Sequence, residues 1–359
     1  MTLRLRLERY RVPLAGAFHT ARFAFAERRG ALLTLEDDDG RRGRGEAAPL
    51  PDYSDDDLAQ AEAALTELEL SRVPPASDRD ALGRFLDAHP VSRVPSARSA
   101  LESALLELEA LQRGLPVHRL LAEPEGSAPS TRPLSALVAS TSREAIEASV
   151  ARALAAGFTT VKLKVGKPGA FDEELALLRA LRRAHGAALR LRLDVNGCFA
   201  PNEAAAKLRA LAELQPELVE DPLPRGAPLL EAPPVPIALD EALRDPLPPF
   251  TALRERHGVV AILLKPTVLG GPLTCRSRAR SARAAGIAAI VSHTFEGPVG
   301  YAAACELSLA LPETRFAEGL APHSGLSAWG TQPAALSGAR LVAHEAPGLG
   351  LPSLRIPAS

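Results

Sequence analysis

The chain has 359 residues, a net charge of −1, 46% hydrophobic and 24% charged residues. That composition suits a globular protein with room for two domains, and the balanced charge excludes a nucleic-acid footprint or an anionic-membrane surface. Cys198, Cys275 and Cys305 are widely spaced, set up neither a disulfide framework nor a zinc spacing, and fit a reducing compartment.

The opening MTLRLRLERYRV has no apolar leader core, and residues 2–12 alternate leucine with Arg or Glu as a half-exposed strand does. Residues 31–36 predict a second strand, Asp37-Asp38-Asp39-Gly40 a turn, and 41–48 a returning partner. Pro49-Leu50-Pro51 ends this meander. Ser54 is placed to cap a following helix, and helical periodicity covers 55–70, 79–87 and 96–113. Strands followed by helices predict an α+β domain over residues 1–130.

From residue 134 strands and helices alternate. Strands are expected at 134–140, 159–166, 189–195, 218–222, 236–243, 260–267, 288–294 and 315–320. Helices are expected from near Ser142 and at 172–185, 203–213, 273–285 and 299–311. Eight strands with helical crossovers predict a closed parallel barrel over 131–320. The step from Glu220 to Asp240 is the shortest, so its crossover is expected to lack a full helix. The Pro-, Gly- and Ala-rich tail, 321–359, is expected to complete the first domain. The longest apolar run, Val259–Leu264, is far too short to span a bilayer. A cytoplasmic protein is expected.

Thr160-Val161-Lys162-Leu163-Lys164-Val165-Gly166 organises the rest. Residues two apart on a strand share a face, so Lys162 and Lys164 point one way and Val161, Leu163 and Val165 the other. Two cations on a buried strand are costly unless anions face them. The chain has five lysines against 37 arginines, so lysine at 162, 164 and 265 is informative. A buried lysine can act as a base, whereas arginine stays protonated. Edge-strand gatekeeping is the alternative, disfavoured by the apolar run and the matching Lys265.

Asp194, Glu220 and Asp240 fall late in three successive strands, where barrel active sites sit. Converging carboxylates make an all-oxygen site suited to Mg²⁺, with open positions for substrate. Lysines on either side of such a site suit proton abstraction α to a carboxylate, with the metal stabilising the enediolate.

Lys-x-Lys, Asp-x-Asn, Glu-x-Pro, Asp-Glu and Lys-Pro, in this order, resemble the signature of the enolase superfamily, muconate-lactonising-like subgroup. Gly45-Glu46-Ala47-Ala48-Pro49-Leu50-Pro51 with Tyr53-Ser54, Leu264-Lys265-Pro266-Thr267, and Ser292 to Gly297 resemble the o-succinylbenzoate synthases. The resemblance implies an α/β fold, a (β/α)7β TIM-like barrel with an α+β capping domain. It implies a lyase of menaquinone biosynthesis acting on a small carboxylate, with Mg²⁺ as cofactor and Mn²⁺ accepted in its place. A homo-oligomer is compatible with it; nucleic-acid and membrane partners are not expected.

The resemblance makes Lys164 the base, Lys265 a cation facing the ring, and Asp194, Glu220 and Asp240 the metal ligands. Lys162 would lower the pKa of Lys164 by like-charge proximity. Arg192, two residues before Asp194, would do likewise or form a barrel-core ion pair. The Gly319 amide would meet the substrate carboxylate, with Ser292 and Thr294 candidates for the same pocket. The segment Ala17 to Ala26, with Phe18, His19 and Arg22, is a candidate lid. This chain departs from many relatives at Asp52-Tyr53-Ser54, where they have Gly-Phe-Ser, and at His293, Phe295 and Gly297, where they are serine-rich.

An N-acylamino acid racemase or dipeptide epimerase needs the same metal and both lysines. Dipeptide epimerases carry an acidic motif after the eighth strand, which Gly319 to Ser324 lacks. A non-catalytic ligand-binding barrel is the remaining reading, and the presence of both lysines and all three carboxylates counts against it.

Overall fold

The computed structural model describes residues 2–19, 24–122, 129–140 and 142–357. The chain opens with an antiparallel sheet of β1 (Arg4–His19), β2 (Ala24–Glu36) and β3 (Arg42–Ala47), in that order. The hairpin is longer than the alternation predicts: Phe18 pairs with Phe25 and His19 with Ala24, after a register shift beyond Pro13. Proline lacks an amide hydrogen, and β1 is an edge strand, where that donor is dispensable.

Helices α1 (Leu58–Thr66), α2 (Arg79–Ala88), α3 (Pro95–Arg113) and α4 (Val117–Leu121) follow. Asp57, not Ser54, caps α1, accepting from the Gln60 amide in a capping box. Ser54 instead accepts from the Leu50 amide and closes the preceding loop. α3 is buried through most of its length and lies hard against β3. A Cβ on Gly45 would stand 1.9 Å from the Ala100 carbonyl oxygen, and one on Gly43 2.0 Å from that of Ala104.

The second half begins with β4 (Thr131–Pro133), β5 (Ser135–Val138), α5 (Arg143–Ala155), β6 (Thr160–Lys164) and α6 (Phe171–His185). It continues through β7 (Arg190–Asp194), α7 (Pro201–Ala212), β8 (Leu218–Glu220), β9 (Ile237–Leu239), α8 (Phe250–Arg256) and β10 (Val259–Leu264). Then come α9 (Pro266–Leu269), α10 (Pro272–Ala284), β11 (Ala288–Val291) and α11 (Pro298–Ala310). Strands β5 to β11 form one parallel sheet in sequence order. Residues 318–319 join its edges: Leu134 bridges Glu318, and Ser292 bridges Gly319. The eighth strand is thus reduced to two bridges, and the fold is the (β/α)7β TIM-like barrel with an α+β cap. No helix separates β8 from β9.

Outward-facing Val161, Leu163 and Val165 of the second barrel strand pack in one core with Leu175, Leu178 and Leu181 of α6. Inward-facing Lys162 and Lys164 are left to the barrel interior. After the barrel, β12 (Ala335–Ser337) pairs with β13 (Arg340–Val342), which pairs with β4. Further on the tail reaches the first sheet, where Arg44 donates to the Pro352 carbonyl at 2.9 Å. No helix among the described residues is long and apolar enough to cross a membrane.

The contact between β3 and α3 predicts a steep cost for any side chain at Gly45. Gly45→Ala should lose about 1–3 kcal/mol in urea melts. Gly83→Ala, on α2 with nothing within 4 Å of its added carbon, should be neutral or gain up to about 1 kcal/mol. Equal losses in the two variants would mean that this contact does not limit stability.

Candidate active site

Strand register assembles the rim. Lys164 pairs with Asp194, and Asp194 with Glu220, so the last residues of β6, β7 and β8 lie side by side. Asp240 follows β9 and Lys265 follows β10 directly. These are the C-terminal strand ends, around one pocket that Lys162, Lys164, Asp194, Asp240 and Lys265 line.

The lysines sit in different electrostatic settings. Lys162 Nζ lies 2.9 Å from Asp194 Oδ2 and ion-pairs with Glu220. Lys265 ion-pairs with Asp240 and donates to the Tyr53 hydroxyl at 2.7 Å. Lys164 donates to Asn196 Oδ1 at 3.3 Å, and the Asn196 amide nitrogen donates in turn to Asp194 Oδ1. Burial, and then the ammonium groups of Lys162 and Lys265, hold the pKa of Lys164 below the ordinary lysine value, against the pull of Asp194. Burial also disfavours charge on Lys265, but Asp240 outweighs it and the net direction is upward. Lys162 is raised likewise by Asp194 and Glu220 against burial. Glu220 is pushed up to about 7, chiefly by burial, whereas Lys162 and Lys164 hold Asp194 down against it.

The three carboxylates fit a hard divalent cation. All donors are oxygen, and the Lys162 ammonium already stands as a cation between Asp194 and Glu220.

Two residues to which the sequence assigned no role, Asp221 and Tyr53, position this set. Asp221, with a left-handed φ of 36°, accepts the amides of Asp240 at 3.2 Å and Glu241 at 2.5 Å, fixing the turn that presents Asp240. Its only sequence signal is the acid between Glu220 and Pro222. Tyr53 reaches in from the loop after β3; its hydroxyl donates to Asp240 Oδ1 at 3.3 Å, and its ring lies 4.9 Å from both Lys265 Nζ and the Arg244 guanidinium. The pocket-facing loops are tied together by buried Arg28, which donates to the carbonyls of Ala48 (2.6 Å), Pro49 (3.1 Å) and Phe295 (2.8 Å).

The expected substrate contacts are redistributed. Arg192 does not line the pocket: it is buried in the barrel, paired with Glu217 at 2.6 Å and donating to the Ala317 carbonyl. Two residues along a strand keep the face but drop about 6–7 Å down the barrel. Gly319 lines the pocket, but its amide is donated to Val291 in the bridge that replaces the eighth strand, so it does not stand open for a carboxylate. Ser292 lines the pocket and donates to the Gly319 carbonyl at 3.2 Å. Thr294 lines it too, but its hydroxyl is committed to Glu296 at 2.5 Å. His293 uses both ring nitrogens internally, towards Ala321 O and the Phe295 amide. The proposed lid side chains, Phe18, His19 and Arg22, lie outside the described residues.

Residues 145–353 match the family described as enolase C-terminal domain-like, and residues 2–82 match the MenC N-terminal domain. The chain belongs to the enolase superfamily. It is 30% identical to the o-succinylbenzoate synthase of Yersinia enterocolitica, over 82% of each chain. It is 28% identical to the L-Ala-D/L-Glu epimerase of Bacillus subtilis, over 85% of this chain and 84% of that protein. The substrate-liganded structure of that epimerase superposes with a TM-score of 0.84 and 25% identity, covering 98% of this chain and 99% of the other. A dipeptide epimerase from Methylococcus capsulatus, complexed with Mg and L-Arg-D-Lys, superposes with a TM-score of 0.78 at 26% identity, covering 97% and 98%. As an enolase-superfamily enzyme the chain thus stands near both synthases and epimerases.

The contrast between the lysines has a direct readout, because five lysines are few enough to assign one by one in ε-¹³C-lysine NMR. Lys164 should titrate below Lys162 and Lys265. Replacing Lys162 removes a neighbouring cation and frees Asp194, and both changes raise the Lys164 pKa, so its midpoint should move to higher pH in Lys162→Ala. An unmoved midpoint would detach Lys162 from that role.

Proposed function

We propose that this chain is an o-succinylbenzoate synthase: it dehydrates 2-succinyl-6-hydroxy-2,4-cyclohexadiene-1-carboxylate to o-succinylbenzoate, with Mg²⁺ as cofactor. The observation that carries the reading is the inequality of the two lysines across the pocket. Lys265 ion-pairs with Asp240 and donates to Tyr53, and its pKa is raised, whereas Lys164 donates to the Asn196 amide oxygen and burial lowers its pKa. A syn elimination needs one base and one fixed charge; racemisation needs two lysines that each gain and lose a proton.

On this reading Asp194, Glu220 and Asp240 would hold Mg²⁺, which would supply positive charge to stabilise the enediolate. Lys164 takes the α-proton as the C–H bond breaks. The C–O bond to the hydroxyl then breaks on the same face, and Lys164 returns the proton so that water departs. Lys265 faces the ring as a cation, and Tyr53 and Asp240 keep it in place. Residues 1–130, completed by 321–359, serve as the cap that brings Leu50, Asp52 and Tyr53 to the pocket, and 131–320 as the catalytic barrel.

The nearness of the epimerases keeps one second reading, an N-acylamino acid racemase or dipeptide epimerase. Against a dipeptide substrate, the end of the eighth segment puts Gly319 and Ala321 on the pocket. Its one acid, Glu318, is turned to the Val291 amide at 2.6 Å.

Chelation should stop turnover, and Mg²⁺ or Mn²⁺ should restore it while Zn²⁺ serves poorly; full activity of rigorously metal-free protein would end the mechanism.

Lys265→Arg separates the two readings. Guanidinium keeps the charge but cannot exchange a proton. The variant should retain measurable o-succinylbenzoate formation, lowered by misplacement of the charge, and lose any racemase activity. The measurement is both assays on one preparation, with deuterium exchange into each N-acylamino acid enantiomer. If wild type racemises far faster than it dehydrates and the variant loses both equally, the racemase reading replaces the synthase.

A further inference from the structure

Away from the barrel mouth, three segments distant in sequence bring metal-ligating side chains to one point. His118 comes from α4, Glu306 from α11, and His344 from the chain just after β13. One ligand atom from each lies within 4.8 Å of the others. His118 Nδ1 is 3.0 Å from Glu306 Oε2, and His344 Nε2 is 2.9 Å from Glu306 Oε1. The carboxylate is therefore gripped on both oxygens by imidazole nitrogens. The side chains of His118 and Glu306 are 3% and 2% exposed, and that of His344 20%.

A buried carboxylate normally has a permanent cation beside it. Among the described residues Glu306 has neither Lys nor Arg as an ionic partner; its partners are the two histidines. Each nitrogen–oxygen approach needs a proton or a cation between the atoms. The His344 approach is close but not directed as a hydrogen bond, and both His344 ring nitrogens are buried without a hydrogen-bond partner. The His118 amide donates to Glu306 Oε2 at 2.7 Å, which fixes the carboxylate as outer-shell bonds fix metal ligands.

We propose that His118, Glu306 and His344 form a second metal site, selective for Zn²⁺ or a similar transition ion, that ties the C-terminal segment to α4 and α11. Two imidazoles and one carboxylate are a borderline donor set that takes Zn²⁺ at about 2.0–2.2 Å and leaves a fourth position for water. The two nitrogen–oxygen separations, 3.0 and 2.9 Å, need to open by only a few tenths of an ångström, with the two ring nitrogens turning onto the ion between them. The all-oxygen cluster at the barrel mouth has the opposite preference, so the two sites sort metals by ligand chemistry. None of the three residues lines the pocket, so the role is to lock the tail.

The test is Zn²⁺ titration of the full chain in excess Mg²⁺, read by a competing chromophoric chelator and by thermal unfolding. One equivalent should bind and raise the unfolding temperature, equally in wild type and in Asp240→Asn. His344→Ala and His344→Gln should each weaken binding at least about tenfold and remove the thermal shift, while o-succinylbenzoate formation in Mg²⁺ stays at the wild-type level. Loss of that activity in wild type would count against the synthase reading alone, because the Zn²⁺ readout does not use it. Co²⁺ in place of Zn²⁺ should give the intense visible bands of a four-coordinate site. Zn²⁺ binding that disappears in Asp240→Asn, or that both His344 variants retain, would overturn the proposal. So would no binding at all, leaving a proton-bridged His–Glu–His cluster.

Discussion

The barrel mouth depends on a balance of buried charge. Three ammonium groups and three carboxylates share a space with little water, and removing one partner of a buried pair costs about 3–5 kcal/mol. No member is therefore adjustable alone. Lys162 answers to Asp194 and Glu220 together, and Lys265 answers to Asp240 and Tyr53. The parallel register puts Lys164, Asp194 and Glu220 on adjacent strands, so a slip in one pairing would strand charge on several neighbours. The same balance divides labour between lysines of identical chemistry. Of the three, Lys164, which donates to the neutral amide of Asn196, is the one whose pKa is held below the ordinary lysine value.

Much of this was legible in the chain itself, because strand periodicity is local. The two-residue spacing of Lys162 and Lys164 gives their common face, and the regular recurrence of charged strand ends gives the barrel. The short step between Glu220 and Asp240 gives the missing helix. What escaped is not local. Tyr53 meets Lys265 across more than half the chain, and nothing at Asp52-Tyr53-Ser54 says which strand end the ring will reach. Periodicity also fixes a face but not a depth, which is why Arg192 shares a face with Asp194 yet serves the barrel interior. The Gly319 amide donates to Val291 for a related reason: a strand reduced to two bridges spends its donors on closing the sheet. Ser54 was expected to cap the helix, but Asp57, three residues on, caps it through its reciprocal partner Gln60.

The cap is joined to the barrel by polar contacts with strict geometry as well as by packing. Glu46 accepts the Gly300 amide at 2.8 Å and that of Gly297, at the start of α11, and it also takes the Tyr10 hydroxyl. A carboxylate at a helix N-terminus favours the exposed amides there. A side chain at Gly297 would press on Glu46 itself, 2.8 Å from the added carbon, and one at Gly300 on the Glu296 side chain, also at 2.8 Å. The loop that carries Tyr53 leaves β3 immediately after this anchor, so its position relative to Lys265 is set before the loop begins.

Arg28 adds a different kind of constraint. Among the described residues its guanidinium donates to three carbonyl oxygens, two from the cap loop and one from the loop after β11. A carbonyl is the same whatever side chain its residue bears. The backbone of both walls is thus held by an anchor that does not depend on the side chains of residues 48, 49 and 295. A pocket built this way can exchange side chains on its walls while the backbone that carries them keeps its place. Enzymes that share this frame can then differ in the reaction they serve while remaining near one another in sequence.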